Sequence, residues 1–267
     1  MSSIASMINL KGRRALITGA MGGLGSVMAS TLAELGADLV LVDLPGKDLG
    51  EMKEQLVALY GVEIDCHQCD LERPEQRQEM ARSLIESGHG LSVLVNNAAF
   101  VGTSGLVGWA VPYEQQASNT WNRVLEVNLI SVFDLCQRLT PLLSSSCHSS
   151  IVNIASIYGQ YGPDWSLYAD TTMSNPAAYA ASKGGLIQLT RWLSTTLAPT
   201  IRVNAISPGG VLRGQPAEFI ERYSKRTPMA RMATEEDFRG AIAYLASDLS
   251  LYVTGQVLNV DGGWGAW

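Results

Sequence analysis

A phenol and an amine one helical turn apart, Tyr179 and Lys183 in Tyr179-Ala180-Ala181-Ser182-Lys183, are the residues of this chain best suited to moving a proton. At that spacing both side chains share one face of a helix. A nearby ammonium favours phenolate over phenol, which lowers the tyrosine pKa and permits proton exchange near neutral pH. The pair alone is weak evidence, since Tyr and Lys fall at this spacing on many helices by chance. Ser156 follows an apolar run, Ser150 to Ala155, where its hydroxyl can hold a substrate oxygen against the phenol. Asn128 sits mid-way in a helical pattern between Val127 and Leu129, where a polar side chain either has a task or bends the helix through its own hydrogen bonds.

A second constellation suits a nucleotide. Thr18-Gly19-Ala20-Met21-Gly22-Gly23-Leu24-Gly25 runs from a strand pattern into a helical one. Glycines there let the backbone turn sharply and let a pyrophosphate approach the helix N-terminus. Asp43 ends the next strand pattern, where a carboxylate accepts hydrogen bonds from ribose hydroxyls and repels a 2′-phosphate. No Arg stands in the glycine turn or just after Asp43, so NAD is expected rather than NADP. Asp70 closes a third strand pattern and suits an adenine amino group or an ordinary turn. Asn96-Asn97-Ala98-Ala99 closes a fourth with small residues that leave a nucleotide close access.

Strand patterns must deliver these residues to one edge. They run over Arg14 to Thr18, Asp38 to Asp43, Val62 to Cys69, Leu91 to Asn96, Ser150 to Ala155, Ile201 to Ser207 and Gln256 to Val260. Helical patterns fill the intervals at Leu24 to Leu35, Lys47 to Tyr60, Pro74 to Ser87, Glu114 to Leu143, Ala178 to Leu197 and Thr234 to Ser247. This alternation predicts right-handed βαβ units and a parallel α/β sheet. The irregular stretches Phe100 to Pro112, Ile157 to Ala177 and Gly209 to Ala233 all follow strands, so they are expected at the carboxyl edge, where open α/β folds bind ligands. With no repeat or linker in view, residues 1–267 are expected to form one domain.

Composition narrows the function classes. Of 267 residues, 46% are hydrophobic and 16% charged, enough apolar material for a large core. A net charge of −6, with basic residues scattered, argues against nucleic acid as a partner. Met1 to Asn9 lacks the character of a secretory signal, and no run is long and apolar enough to span a membrane, so a cytoplasmic enzyme without a membrane partner is expected. Cys66-His67-Gln68-Cys69 has metal-like spacing, but no second Cys or His pair closes a site. Strand residues, and no metal, are expected there.

Taken in order, Thr18 to Gly25, Asp43, Asp70, Asn96 to Ala99, Asn128, Ser156, Tyr179 with Lys183, and Pro208-Gly209 resemble the motif set of the short-chain dehydrogenase/reductase family over nearly the whole chain. The resemblance implies a Rossmann-type, doubly wound, seven-stranded parallel sheet with helices on both faces, and interconversion of a secondary alcohol and a ketone. By the same resemblance Tyr179 is the acid/base, Lys183 lowers its pKa and holds the nicotinamide ribose, Ser156 orients substrate, and Asn128 anchors a water of the proton relay. It further implies cofactor contacts from Gly19, Met21, Gly23, Leu24, Gly25, Asp43, Asp70, Leu71, Asn97, Ala98, Ala99, Tyr179, Lys183, Pro208 and Val211.

The chain departs from the family at three places. Ala99 replaces the usual Gly, and Arg213 stands where a Thr is common, so position 213 inherits no role. The interval from Ser156 to Tyr179 is longer than usual and carries Tyr158, Tyr161, Trp165 and Tyr168 with Asp164, Asp170, Thr171 and Thr172. Rings beside polar groups suit a small sugar-like or polyhydroxylated substrate, and they equally suit a loop packed on itself or on another subunit. The loops at about 157–177 and 209–233 are therefore the expected substrate loops. Together with Asp261-Gly262-Gly263-Trp264, the first of them resembles members linked to bacterial surface-sugar or flagellar-glycan synthesis. The alternatives are a polyol or keto-gluconate reductase, a 3-oxoacyl thioester reductase, and a non-catalytic NAD-binding scaffold. The Gly- and Trp-rich tail from Gly255 leaves apolar surface to cover, which with the family habit predicts a homotetramer or homodimer.

Overall fold

The run Arg14–Thr18 forms β1, buried along its whole length, which a strand can be only if helices cover both faces of its sheet. The structure, a computed structural model, describes residues 3–267; Met1 and Ser2, which open the stretch read above for a signal, lie outside the described residues. Six further strands lie parallel to β1: β2 (Asp38–Asp43), β3 (Ile64–Gln68), β4 (Val93–Asn96), β5 (Ser149–Ile154), β6 (Ile201–Pro208) and β7 (Val257–Val260). Their order across the sheet is β3-β2-β1-β4-β5-β6-β7. The chain winds outward from β1 to β3 and then crosses back to β4. The carboxyl ends of β1 and β4 thus frame a switch-point crevice, the usual ligand position in such sheets.

The described helices are α1 (Ile4–Ile8), α2 (Gly23–Glu34), α3 (Gly50–Tyr60), α4 (Pro74–Glu86), α5 (Ser118–Leu125), α6 (Ser131–Ser144), α7 (Ala177–Leu197), α8 (Ala217–Arg226) and α9 (Arg239–Ala246). Strand alternation sorts the core into two layers. Ala15 and Ile17 of β1 pack with Met28 and Leu32 of α2 and Ile242 of α9. Leu16 faces the other way, onto Met80 of α4, Leu135 and Leu139 of α6, and Leu186 and Leu193 of α7. The doubly wound α/β expectation is met. Cys66, His67 and Gln68 lie in β3 with Cys69 just beyond, and among the described residues no group of His, Cys, Asp or Glu is arranged to hold a metal.

Two expectations need correction. The helix expected from Glu114 to Leu143 is interrupted: a 3-10 turn (Tyr113–Gln115) precedes α5, and a π turn (Glu126–Ile130) joins α5 to α6. Asn128 lies in that π turn, yet its side chain does not bond its own helix. Oδ1 accepts from Phe100 N at 2.8 Å, while Nδ2 donates to Phe100 O and to Ser182 Oγ, each at 3.1 Å. A π turn widens the helix locally and often marks a functional position. Arg77 braces it from α4: buried, it donates to Glu126 and Asp134 at 2.7 Å each.

The second correction is in 209–233, read as irregular, which contains α8. Glu218 in its first turn and Lys225 and Arg226 in its last agree with the helix dipole, and Phe219 and Tyr223 form its buried stripe. Those signals were present in the sequence.

Candidate active site

A cavity of about 1050 Å³ opens along the carboxyl edge of the sheet, from Asp43 and Asp70 at one end to Tyr158, Tyr168, Phe219 and Tyr223 at the other. Of the site residues named from the sequence, Gly19, Met21, Gly23, Leu24, Asp43, Asp70, Leu71, Asn97, Ala98, Ala99, Ser156, Tyr179, Lys183, Pro208 and Val211 all line it. Gly25 and Asn128 do not: one lies beneath the glycine turn, and the other is buried behind the wall.

The glycine turn forms because β1 ends in a residue that ties it to β4. Thr18 Oγ1 accepts from the amides of Asn97 and Ala98 at 3.0 and 3.1 Å, and Asn97 Nδ2 donates to the carbonyls of Thr18 and Gly19 at 3.0 Å each. Gly19 sits at φ +63°, and a Cβ there would meet Ala98 Cα at 2.9 Å, so only glycine fits. Gly22 caps α2 without a side chain, leaving amides of the first helical turn free to face an anion. Asp43 fixes the far side: Oδ2 accepts from Met21 N and Oδ1 from Leu44 N, both at 2.8 Å. An ionised carboxylate keeps further lone pairs for ribose hydroxyls. A long cleft with a glycine turn, bare helix amides and a strand-end carboxylate fits an adenine dinucleotide. Gly19, Gly23, Asp43, Asp70 and the Asn97-Ala98-Ala99 backbone are the residues that would hold it.

At the chemical end α7 presents Tyr179 and Lys183, as their spacing predicts, and β5 delivers Ser156 beside them. Burial pushes the Tyr179 phenol above its ordinary value, opposed by a hydrogen bond from Ser156 and the charge of Arg213, and reinforced by Tyr168. The expected lowering by Lys183 is not what this chain displays on its own. Burial drives Lys183 itself down to about 7, and its Nζ donates to Ile154 O at 2.6 Å, lying 5.8 Å from the Tyr179 ring centre. A half-buried phenol beside a serine hydroxyl, with a buried amine beneath it, is an arrangement that passes a proton to or from an oxygen held at Ser156.

The loop 157–177 divides. Tyr158, Tyr168 and Thr172 reach the cavity, joined by Met173, Ser174, Asn175 and Pro176, which the sequence reading missed. Tyr158 and Tyr168 share a hydrogen bond of 2.6 Å, and Asn175 Nδ2 donates to Tyr168 at 3.4 Å. Asn175 is buried, and its Oδ1 has no partner among the described residues. The other residues singled out face away from the cavity. Tyr161 bonds Gly265 O, Trp165 packs on Tyr168, Asp164 caps its own turn at Ser166, and Asp170 pairs with Arg222. Tyr223 closes the wall from α8, its hydroxyl accepting from Gly210 N. Val211, expected to offer its backbone to a cofactor, pairs with Ala233 and accepts from Gln215 Nε2 at 2.7 Å.

Known proteins share this architecture. A family model described as enoyl-(acyl carrier protein) reductase matches residues 19–265. The 3-oxoacyl-(acyl-carrier-protein) reductase FabG of Thermotoga maritima is 32% identical over 263 residues, covering 96% of this chain and 99% of its own. A gluconate 5-dehydrogenase from Burkholderia cenocepacia, solved with NADP and tartrate, superposes with a TM-score of 0.87 at 28% identity, covering 99% of this chain and 100% of that one. A short chain dehydrogenase from Leptospira borgpetersenii with bound NAD+ gives 0.83 at 30% identity, covering 99% and 96%.

Proposed function

Because the chain belongs to the short-chain dehydrogenase/reductase family, whose members are oxidoreductases of CH–OH and carbonyl groups, we propose that this protein is a single-domain, NAD-dependent enzyme acting on a sugar-like or otherwise polyhydroxylated substrate. The observation that carries the reading is the meeting of Tyr179, Ser156 and Lys183 at one end of a dinucleotide-sized cleft, opposite a wall of paired hydroxyls. Bound in the cleft, a nicotinamide dinucleotide supplies the hydride acceptor or donor. Ser156 Oγ holds the substrate oxygen. Tyr179 Oη takes the hydroxyl proton in the oxidative direction and returns it in the reductive one. Lys183 lies below the phenol, where its charge in the loaded site opposes the effect of burial, and Asn128 fixes the Phe100 backbone and a water of the relay.

The far wall supports the substrate class. Asn175 Oδ1 is a buried acceptor without a donor, a state that costs about 1–3 kcal/mol until one arrives. A substrate hydroxyl or amide N–H supplies it, and Tyr158 and Tyr168 offer further partners to a polyol. An acyl chain would leave Asn175 Oδ1 unsatisfied. Asp43 supports NAD over NADP, as read from the sequence, although Lys47 also lines that end of the cavity.

The test is a panel of polyols, keto-gluconates, amino sugars, sugar phosphates and nucleotide sugars beside 3-oxoacyl thioesters, each with NAD(H) and NADP(H). Turnover is expected with NAD and at least one polyhydroxylated compound, and a preference of about tenfold or more for NAD. Turnover confined to thioesters with NADPH would reverse both assignments.

Among the described residues no helix is long and apolar enough to cross a membrane, and a cytoplasmic location accords with the family reading. A homotetramer accords with it as well. Trp267 of the tail and Trp192 of α7 are exposed, as are Phe133 of α6 and Tyr252, whereas Trp264 is buried within its own chain. Light scattering at micromolar concentration is expected to give four times the chain mass, or twice it for a dimer; a monomer alone would refute the assembly.

A further inference from the structure

Arg213, one of the residues at which the chain departs from its family, stands directly over the glycine turn. Its Nε donates to Glu235 Oε1 at 2.9 Å. Arg213 Nη2 and Glu235 Oε1 lie 3.0 and 2.7 Å from the point that a Cβ on Gly23 would occupy. The two Nη groups make no hydrogen bond to any described residue, so the guanidinium is held by one edge with its fork unused. Arg213 lines the same cavity as Gly23 and Tyr179, and its charge acts on the phenol, which places it between the two. In a dinucleotide that spans the cavity from Asp43 to Tyr179, the segment at the glycine turn, between the two ribose sites, is the diphosphate.

We propose that Arg213 clamps the diphosphate of the bound dinucleotide through its free Nη groups, with Glu235 as the positioning residue that holds the guanidinium edge. The proposal rests on the dinucleotide reading above and assigns within it a contact peculiar to this chain. A guanidinium fork matches phosphate geometry and forms charge-assisted bonds that a threonine hydroxyl does not. Glu235 gives the arrangement a signature. Beside the phosphates its carboxylate is tolerable only while Arg213 neutralises it, so removing the arginine alone leaves two like charges facing each other.

Calorimetric titration of the intact protein with ADP-ribose and with adenosine tests this without turnover. Arg213→Gln is expected to weaken ADP-ribose by about 10- to 100-fold and to leave adenosine unchanged. Adding Glu235→Gln to that variant should recover several-fold of the loss. Equal weakening of both ligands, or no recovery in the double variant, would overturn the clamp. Unchanged ADP-ribose affinity with a raised KM for substrate would overturn it in favour of a substrate-anion contact. A wild-type protein that binds neither ligand would refute the dinucleotide reading itself, an outcome distinct from these.

Discussion

Tyr179→Phe is expected to lower kcat by about 10²- to 10⁴-fold, the range that a positioned acid/base contributes, while dinucleotide affinity stays within about twofold of wild type. The substitution removes one oxygen and leaves the ring packed beside Trp109 and Ala178, so the fold has no reason to change. The pH profile adds a second readout. Burial raises the phenol, so its base form accumulates only as pH rises, and oxidation by the wild type is expected to climb on the alkaline side. Reduction needs the protonated phenol and should fall over the same interval. In Tyr179→Phe the residual rate should lose this limb. Stopped-flow and steady-state kinetics with dinucleotide titration by protein fluorescence check both parts. Undiminished turnover would remove Tyr179 from the chemistry and require another acid/base in the cavity.

Gly25→Ala is expected to cost dinucleotide affinity about 100-fold, although Gly25 does not itself line the cavity. A Cβ at this position would land inside the van der Waals shell of Gly19 O, 2.8 Å from Asn97 Nδ2 and 2.9 Å from Gly19 C. Two of those neighbours are backbone atoms of the turn, and the third is the amide that ties the turn to β4, so none of them yields cheaply. Relief requires the turn to shift by a sizeable fraction of an ångström. That shift misplaces the amides facing the diphosphate. Overpacking of this kind should also lower stability by about 1–3 kcal/mol in urea unfolding. Gly240→Ala, in α9 with open space around it, is the control and should bind dinucleotide as the wild type does. If Gly25→Ala also retained full affinity, the diphosphate would have to sit elsewhere.

The parallel sheet was legible because strands covered on both faces read as unbroken apolar runs, as in Leu39 to Val42, and because each was followed by a helical period. Tyr179 and Lys183 were legible because i and i+4 converge whatever the surroundings. Asn128 was conspicuous as a polar residue amid apolar neighbours, but its partner, the Phe100 backbone, lies on a loop after β4 that no local pattern ties to it. The substrate loop was least legible. The side chains of 157–177 that enter the cavity are selected by contacts made far along the chain, Tyr161 with Gly265 and Tyr168 with Phe219. Periodicity cannot rank aromatic residues in a segment whose two short turns, Ile157–Gly159 and Trp165–Tyr168, are set by such partners. Asn175 was overlooked because an asparagine before a proline reads as an ordinary turn.

One aromatic ladder carries a consequence for substrate selection. Trp165, Tyr168, Phe219, Tyr223 and Trp264 follow one another in contact, ending in Trp264 stacked on Tyr223 at 4.5 Å between ring centres. Trp264 and Trp267 also sandwich Arg226 of α8. The ring that props Tyr223, and through it the Gly210 amide, comes from a segment beyond β7 and not from the loop it supports. Substrate discrimination is therefore open to damage at a distance: loss of the Trp264 ring would slacken the wall at Tyr223 and Tyr168, while the glycine turn, tied to β4 through Thr18 and Asn97, would keep its shape.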